Sequence, residues 1–91
     1  MFNMQDIIND MAHACEQLIQ KIEQYQLPPE GHANEERLEF LSNMRQAISD
    51  TGYRTKNAND VDGDALRDIR DQLEDKDEEY RSIASPTYTG P

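Results

Sequence analysis

The stretch DALRDIRDQLEDKDEEYRSI, residues 64–83, decides the fold. Leu66, Ile69, Leu73, Lys76, Tyr80 and Ile83 recur at alternating steps of three and four, the spacing of a helix-packing seam. Asp64, Asp68, Asp71, Asp75 and Glu78 repeat with the same step on the opposite side and form a carboxylate row. One face of this helix is built for burial and the other for intense negative charge. Lys76 within the seam implies that this part of the helix lies at an exposed end or a rim. The helix starts between Asn59 and Asp64, with Gly63 weakening its first turn, and runs over about 62–83.

Toward the N-terminus the same periodicity returns twice. Met4, Ile8, Met11, Cys15, Leu18, Ile22 and Tyr25 alternate steps of four and three across residues 3–26, with Ile7, Ala12, Ala14 and Ile19 widening the stripe. Asn3 is placed to cap this helix, and Leu27-Pro28-Pro29-Glu30-Gly31 stops it, because proline cannot continue a helix and restricts its predecessor. A second helix is expected over residues 34–50. Asn34 would be its N-cap, Glu35 and Glu36 suit its first turn, and Gly52 falls where a C-terminal glycine ends a helix. Leu38, Leu41, Met44 and Ile48 form its seam, broadened by Phe40 and Ala47.

A short proline-containing loop between two such helices gives an antiparallel hairpin. The fold class is therefore all-α: an antiparallel helical hairpin plus a third helix, packed as a small three-helix bundle within one domain over residues 1–84. Residues 52–59 read as a linker or ordered loop, and Ser85–Pro91 as a mobile tail. A chain of 91 residues buries only about 60–65% of its unfolded surface. Coiled-coil-like seams therefore suggest a homo-oligomer, with Met4, Ile8, Met11, Leu18 and Ile22 as the surface for self-association or for a partner helix.

Charge narrows the partners. Nineteen acids against nine bases give a formal charge of −10, which repels nucleic acid and anionic membranes and attracts basic surfaces. Ten of those acids lie between Asp60 and Glu79, so the excess is concentrated on the third helix. The plainer reading of that concentration is a solvated face, with Arg67, Arg70 and Arg81 within reach of Asp71, Glu74, Asp77 and Glu78. The functional reading is a partner-binding acidic face made of Asp64, Asp68, Asp71, Asp75 and Glu78. Its charges, one per roughly 4–5 Å of helix, approach the spacing of phosphates along a DNA strand.

Residues 1–26 lack the basic start and apolar block of a signal peptide, and no stretch approaches the roughly 20 apolar residues of a membrane span. One cysteine, Cys15, forms no intrachain disulfide, which fits the cytoplasm. Its place on the first seam makes it a buried thiol rather than a nucleophile. Tyr53, Arg54 and Lys56 join an aromatic ring to two cations and form a candidate anion contact, but without a glycine-rich cradle a solvated linker is the better explanation. Asp62-Gly63-Asp64 resembles part of a calcium loop, but the register puts Ala58 first and Ile69 last, where carboxylates are required. An N-terminal helix cap explains it better. Asp10 and His13 have no second carboxylate–histidine pair, so no metal is expected, nor any other cofactor.

GxSxG, P-loop, HExxH and GxGxxG motifs are all missing from the sequence. Exposed carboxylates on helix faces lack the cleft that tunes catalytic pairs, so a non-catalytic protein is expected. In composition the chain is similar to the small acidic inhibitors that phages deploy against host defences. That similarity implies a phosphate-mimic decoy occupying the basic nucleic-acid channel of a nuclease, CRISPR effector, restriction enzyme or transcription factor. The alternative is a structural or adaptor protein that binds a partner, or itself, through its apolar seams.

Overall fold

The structure is a computed structural model that describes residues 3–84. It consists of three α-helices and one short 3-10 turn, with no strand among the described residues. Helix α1 is Met4–Glu23, α2 is Ala33–Asp50 and α3 is Gly63–Ile83; the 3-10 turn is Ala58–Asp60. The expected tail, Ser85–Pro91, lies outside the described residues.

Local chemistry sets each helix end. The side-chain oxygen of Asn3 accepts from the Gln5 amide at 3.0 Å and caps α1. α1 stops at Glu23 rather than reaching residue 26. The Arg37 guanidinium takes over there, donating to the Ile22 carbonyl at 3.0 Å and to the Tyr25 carbonyl at 2.6 Å. It thereby supplements the Tyr25 amide at the Ile22 carbonyl and gives the Tyr25 carbonyl a donor. Asn34 is not the N-cap of α2: His32 holds that position without a side-chain bond, and Asn34 instead donates to the Pro28 carbonyl at 3.2 Å. Gly52, at φ +69°, turns the chain after α2, and a Cβ there would sit 2.9 Å from the Lys56 stem. Asp62 caps α3, accepting from the Asp64 and Ala65 amides at 3.0 and 3.2 Å, as the cap reading of Asp62-Gly63-Asp64 requires.

The helices pack as a small three-helix bundle. α1 and α2 are antiparallel, with Ile22 and Tyr25 beside Arg37 and Glu16 beside Tyr53. α2 and α3 are also antiparallel, since Glu36 near the start of α2 meets Lys76 and Tyr80 near the end of α3. α1 and α3 therefore run parallel, with Cys15 beside Leu66 and Lys21 beside Asp77, and theirs is the most extensive contact.

One contiguous core holds Ile8, Ala12, Cys15, Ile19 and Ile22 of α1, Leu41, Met44 and Ile48 of α2, and Leu66, Ile69, Leu73 and Tyr80 of α3. Leu66 and Leu73 are fully enclosed, each contributing about 1.5–3 kcal/mol of transfer free energy. Three seam assignments fail, at Met4, Leu38 and Ile83, and Met4 is exposed on the first turn of α1. Leu38 is 73% exposed, because α2 turns its Leu41–Met44–Ile48 stripe inward and Leu38 outward. Ile83 is exposed on the last turn of α3.

Candidate functional site

α3 presents its carboxylate row directly opposite its buried face. At about 100° per residue, Asp64, Asp68, Asp71, Asp75 and Glu78 fall within about 40° of one line, and Leu66, Ile69, Leu73, Asp77 and Tyr80 within about 40° of the line opposite. All five row residues are exposed. The row rises about 21 Å over fourteen residues. The structure thus assembles the acidic residues singled out from the sequence onto one continuous surface.

What surrounds the row decides how negative it is. Arg67 Nη1 lies 3.6 Å from Asp64 and Arg70 Nη2 lies 3.9 Å from Asp71, both loose surface pairs. Asp68, Glu74, Asp75 and Glu78 are exposed and form no ion pair among the described residues. Arg81 turns away from Glu78 and sits 4.0 Å from Asp77 on the buried side.

Three of the other basic side chains, Lys21, Arg54 and Lys76, are drawn into three locks of one design between elements. In each, a tyrosine hydroxyl donates to a carboxylate on another element and a cation supports that carboxylate. Tyr25 donates to Asp77 at 2.6 Å, with Lys21 Nζ at 3.2 Å, joining the end of α1 to α3. Tyr80 donates to Glu36 at 3.1 Å, with Lys76 Nζ at 3.2 Å, joining α3 to α2. Tyr53 donates to Glu16 at 3.0 Å, with Arg54 Nη2 at 2.9 Å, joining the turn after α2 to α1. Lys76 tolerates its seam position because its ammonium bridges Glu36 and Glu79 while lying 5.7 Å from the ring centres of Phe40 and Tyr80. Arg45 of α2 pairs with Glu23 of α1 at the surface.

The locks shift their own titrations. Burial pushes the Tyr25 and Tyr80 hydroxyls up to about 12, and the hydrogen bonds to Asp77 and Glu36 push the same way. Burial also pushes the Asp77 carboxyl upward. The hydrogen bonds from Tyr25 and Lys21, with the charges of Lys21 and Arg81, outweigh it and hold that carboxyl below its ordinary value. The Lys76 and Tyr80 hydrogen bonds hold Glu36 low as well. Asp77 corrects the sequence reading: treated there as a surface partner for arginine, it is buried within the α1–α3 contact.

The other singled-out residues divide. Ile8 and Ile22 are core residues of this fold, Met11 and Leu18 are half-buried, and Met4 is 51% exposed. Tyr53 and Arg54 converge on Glu16, whose carboxylate occupies the place an external anion would take, and Lys56 stands apart in solvent. A groove of about 660 Å³ opens beside them, between α1, the end of α2 and the turn, lined by His13, Gln20, Arg45, Ser49 and Tyr53. Glu23 and Glu16 hold its two arginines, and the His13 imidazole on the same wall lies 3.8 Å from the Glu16 carboxylate. Cys15 is fully buried against the Leu66 carbonyl, and burial pushes its thiol up. Among the described residues no cluster of three His, Cys, Asp or Glu side chains is placed to hold a metal, and no helix is long and apolar enough to cross a membrane.

Sequence reasoning missed Asp77, Glu36, Glu16 and Arg37 as architectural residues. For Asp77 a signal existed, since Leu73, Asp77 and Tyr80 continue the seam spacing as well as Lys76 does. Comparison with known proteins adds no relative, for no family model, curated protein or solved structure matches the chain.

Proposed function

We propose that this protein is a non-catalytic acidic inhibitor that occupies the basic nucleic-acid-binding surface of a target protein, in the style of phage anti-restriction and anti-CRISPR decoys. The observation that carries the reading is the division of charge. The locks keep Lys21, Arg54 and Lys76 on the carboxylates that join the helices, while Asp68, Glu74, Asp75 and Glu78 face solvent on α3 and form no ion pair among the described residues. Such a row supplies a run of negative charge at fixed spacing, the feature a basic nucleic-acid channel recognises. The proposal puts the protein in the cytoplasm, where a lone thiol stays reduced.

The test starts with capture of the target at low salt and proceeds to displacement of labelled duplex DNA from it. The native chain releases the DNA, with an effect that falls steeply as salt rises. A variant carrying Asp64→Asn, Asp68→Asn, Asp71→Asn, Asp75→Asn and Glu78→Gln keeps its helicity and fails to release DNA. Undiminished release by that variant sinks the reading. A second reading, an adaptor that binds through apolar seams or forms a homo-oligomer, is favoured by the exposure of Met4 and Ile7. It requires binding that survives high salt.

A further inference from the structure

α1 carries two seams; its own fold encloses one and covers the other only in part, with Met11 and Leu18 packed against the edge of the core. Ile8, Ala12, Cys15, Ile19 and Ile22 are all buried in the bundle. Beside them, rotated by about 80°, Met4, Ile7, Met11, Ala14 and Leu18 repeat at steps of three and four. Met4 is 51% and Ile7 37% exposed, and the other three are half-buried. This second seam lies on the flank of Lys21, which faces α3, and away from Glu16 and Glu23, which face the α2 side. Met4, Ile7 and Met11 line one wall of an open groove of about 470 Å³ there; Val61, Gly63 and Arg67 form the other, and Asp62 and Asp64 its rim. The groove therefore adjoins the start of the carboxylate row.

We propose that this groove takes an amphipathic helix with lysines and arginines on its flanks, supplied by the protein partner. Helix-in-groove recognition needs an apolar row matched to residues at i, i+3 or i+4, and i+7 of the guest. The groove is walled by Met4, Ile7 and Met11 over about 10 Å of α1, enough for about two turns of a guest helix, and Ala14 and Leu18 continue the same line beyond it. Its methionines adapt to a guest surface they were not moulded around. Charge selects the guest: Asp62 and Asp64 border the apolar wall and Asp68 follows one turn along α3, three carboxylates against the single guanidinium of Arg67, which pairs loosely with Asp64. A second copy of this chain is the poorer fit, because its own α1 would bring Asp6 and Asp10 against those carboxylates. The inference rests on the reading that the partner is basic, and it adds an apolar anchor that a pure phosphate mimic does not need.

The test is a titration of the full chain, labelled at its methionine methyl groups, with three synthetic probes. One is a peptide of about 16 residues with leucines on one helical face and lysines on the other. A scrambled peptide of identical composition is the second, and oligolysine of equal charge is the third. The amphipathic peptide is expected to move the Met4 and Met11 methyl signals while leaving Met44, in the core, in place. It should bind at least about tenfold more tightly than either control. The charge-conserving pair Met4→Gln and Ile7→Gln, both at exposed positions, should abolish that advantage while preserving oligolysine binding and the thermal midpoint. Equal binding of all three probes overturns the inference, as does a concentration-dependent dimer that already covers Met4 and Met11. Release of DNA by the Gln pair but not by the row-neutral variant removes the groove and keeps the decoy; the reverse removes the decoy and keeps the groove.

Discussion

Raising the pH should take this bundle apart between about 10 and 12, through the two tyrosines that join α3 to its neighbours. Tyr80 and Tyr25 hold their protons up to about 12, whereas an unfolded tyrosine releases its proton near 10. The folded value is raised, so the neutral phenol is favoured in the folded state. Its stabilisation is complete below pH 10 and disappears as the pH climbs toward 12. Two pH units at about 1.4 kcal/mol each come to roughly 2–3 kcal/mol for Tyr80, whose ring is almost wholly enclosed. Tyr25 contributes less, because its half-buried ring stays in touch with water. A domain of this size has a stability of only about 5–10 kcal/mol, so the alkaline loss is a large share of it. The assay follows phenolate absorbance and far-ultraviolet circular dichroism on one sample. Phenolate formation by Tyr25 and Tyr80 should coincide with loss of helicity, at a pH well above that of ordinary tyrosine. Tyr80→Phe should be less stable at neutral pH by about 0.5–1.5 kcal/mol, from the lost bond to Glu36, yet fall less steeply between pH 10 and 12. Titration of every tyrosine near pH 10 with the helices intact would refute the reasoning, because the hydroxyls would then not be held between helices.

Three further outcomes follow from the same geometry. On the acid side, the Asp77 carboxyl is held low, so its contribution is complete above pH 4 and is lost as pH falls below that value; Asp77→Asn should flatten the acid limb of a denaturation curve measured from pH 6 to pH 2. Arg37→Ala strips the Tyr25 carbonyl of its guanidinium donor and leaves the Ile22 carbonyl with only the Tyr25 amide, and should cost about 1–3 kcal/mol by urea denaturation, a loss that Arg37→Lys recovers only in part. Leu73→Ala, at a fully enclosed site between the helices, should cost about 2–5 kcal/mol in the same assay.

Periodicity made the helices and most of the core legible. Steps of three and four placed Ile8, Cys15 and Ile22, then Leu41, Met44 and Ile48, then Leu66, Ile69 and Leu73, and all of these are buried. The acidic row was legible for the same reason, since a 3.6-residue repeat fixes which carboxylates share a side. What escaped was every role set by a residue distant in sequence. Tyr25, Tyr53 and Tyr80 were read for their rings, while their hydroxyls act on Asp77, Glu16 and Glu36, which lie 52, 37 and 44 positions away. Lys76 and Asp77 are neighbours near the edge of one stripe, and periodicity alone does not say which of them enters. Tyr25 and Lys21 settle it, because a carboxylate that can accept from both is more favourable inside than an ammonium with no acceptor there.

The acidic surface and the stability of the bundle are therefore two consequences of one allocation of charge. A chain with nine bases and nineteen acids cannot pair every carboxylate, so where the bases go determines where the excess appears. Here Lys21, Lys76 and Arg54 serve the interhelix tyrosine locks and Arg37 serves the end of α1, all on surfaces that face another helix or turn. The outward side of α3 is left with only the loose Arg67 and Arg70 pairs. Like charges at i, i+3 and i, i+4 along the row cost a few tenths of a kcal/mol each, so neutralising Asp68 or Asp75 should stabilish the bundle slightly rather than weaken it. Row and locks share no side chain, and their substitutions should combine additively in a double variant such as Asp75→Asn with Tyr80→Phe. Binding and stability should thus separate cleanly under mutation. A row variant that lost affinity only by unfolding would show instead that the carboxylates belong to the architecture.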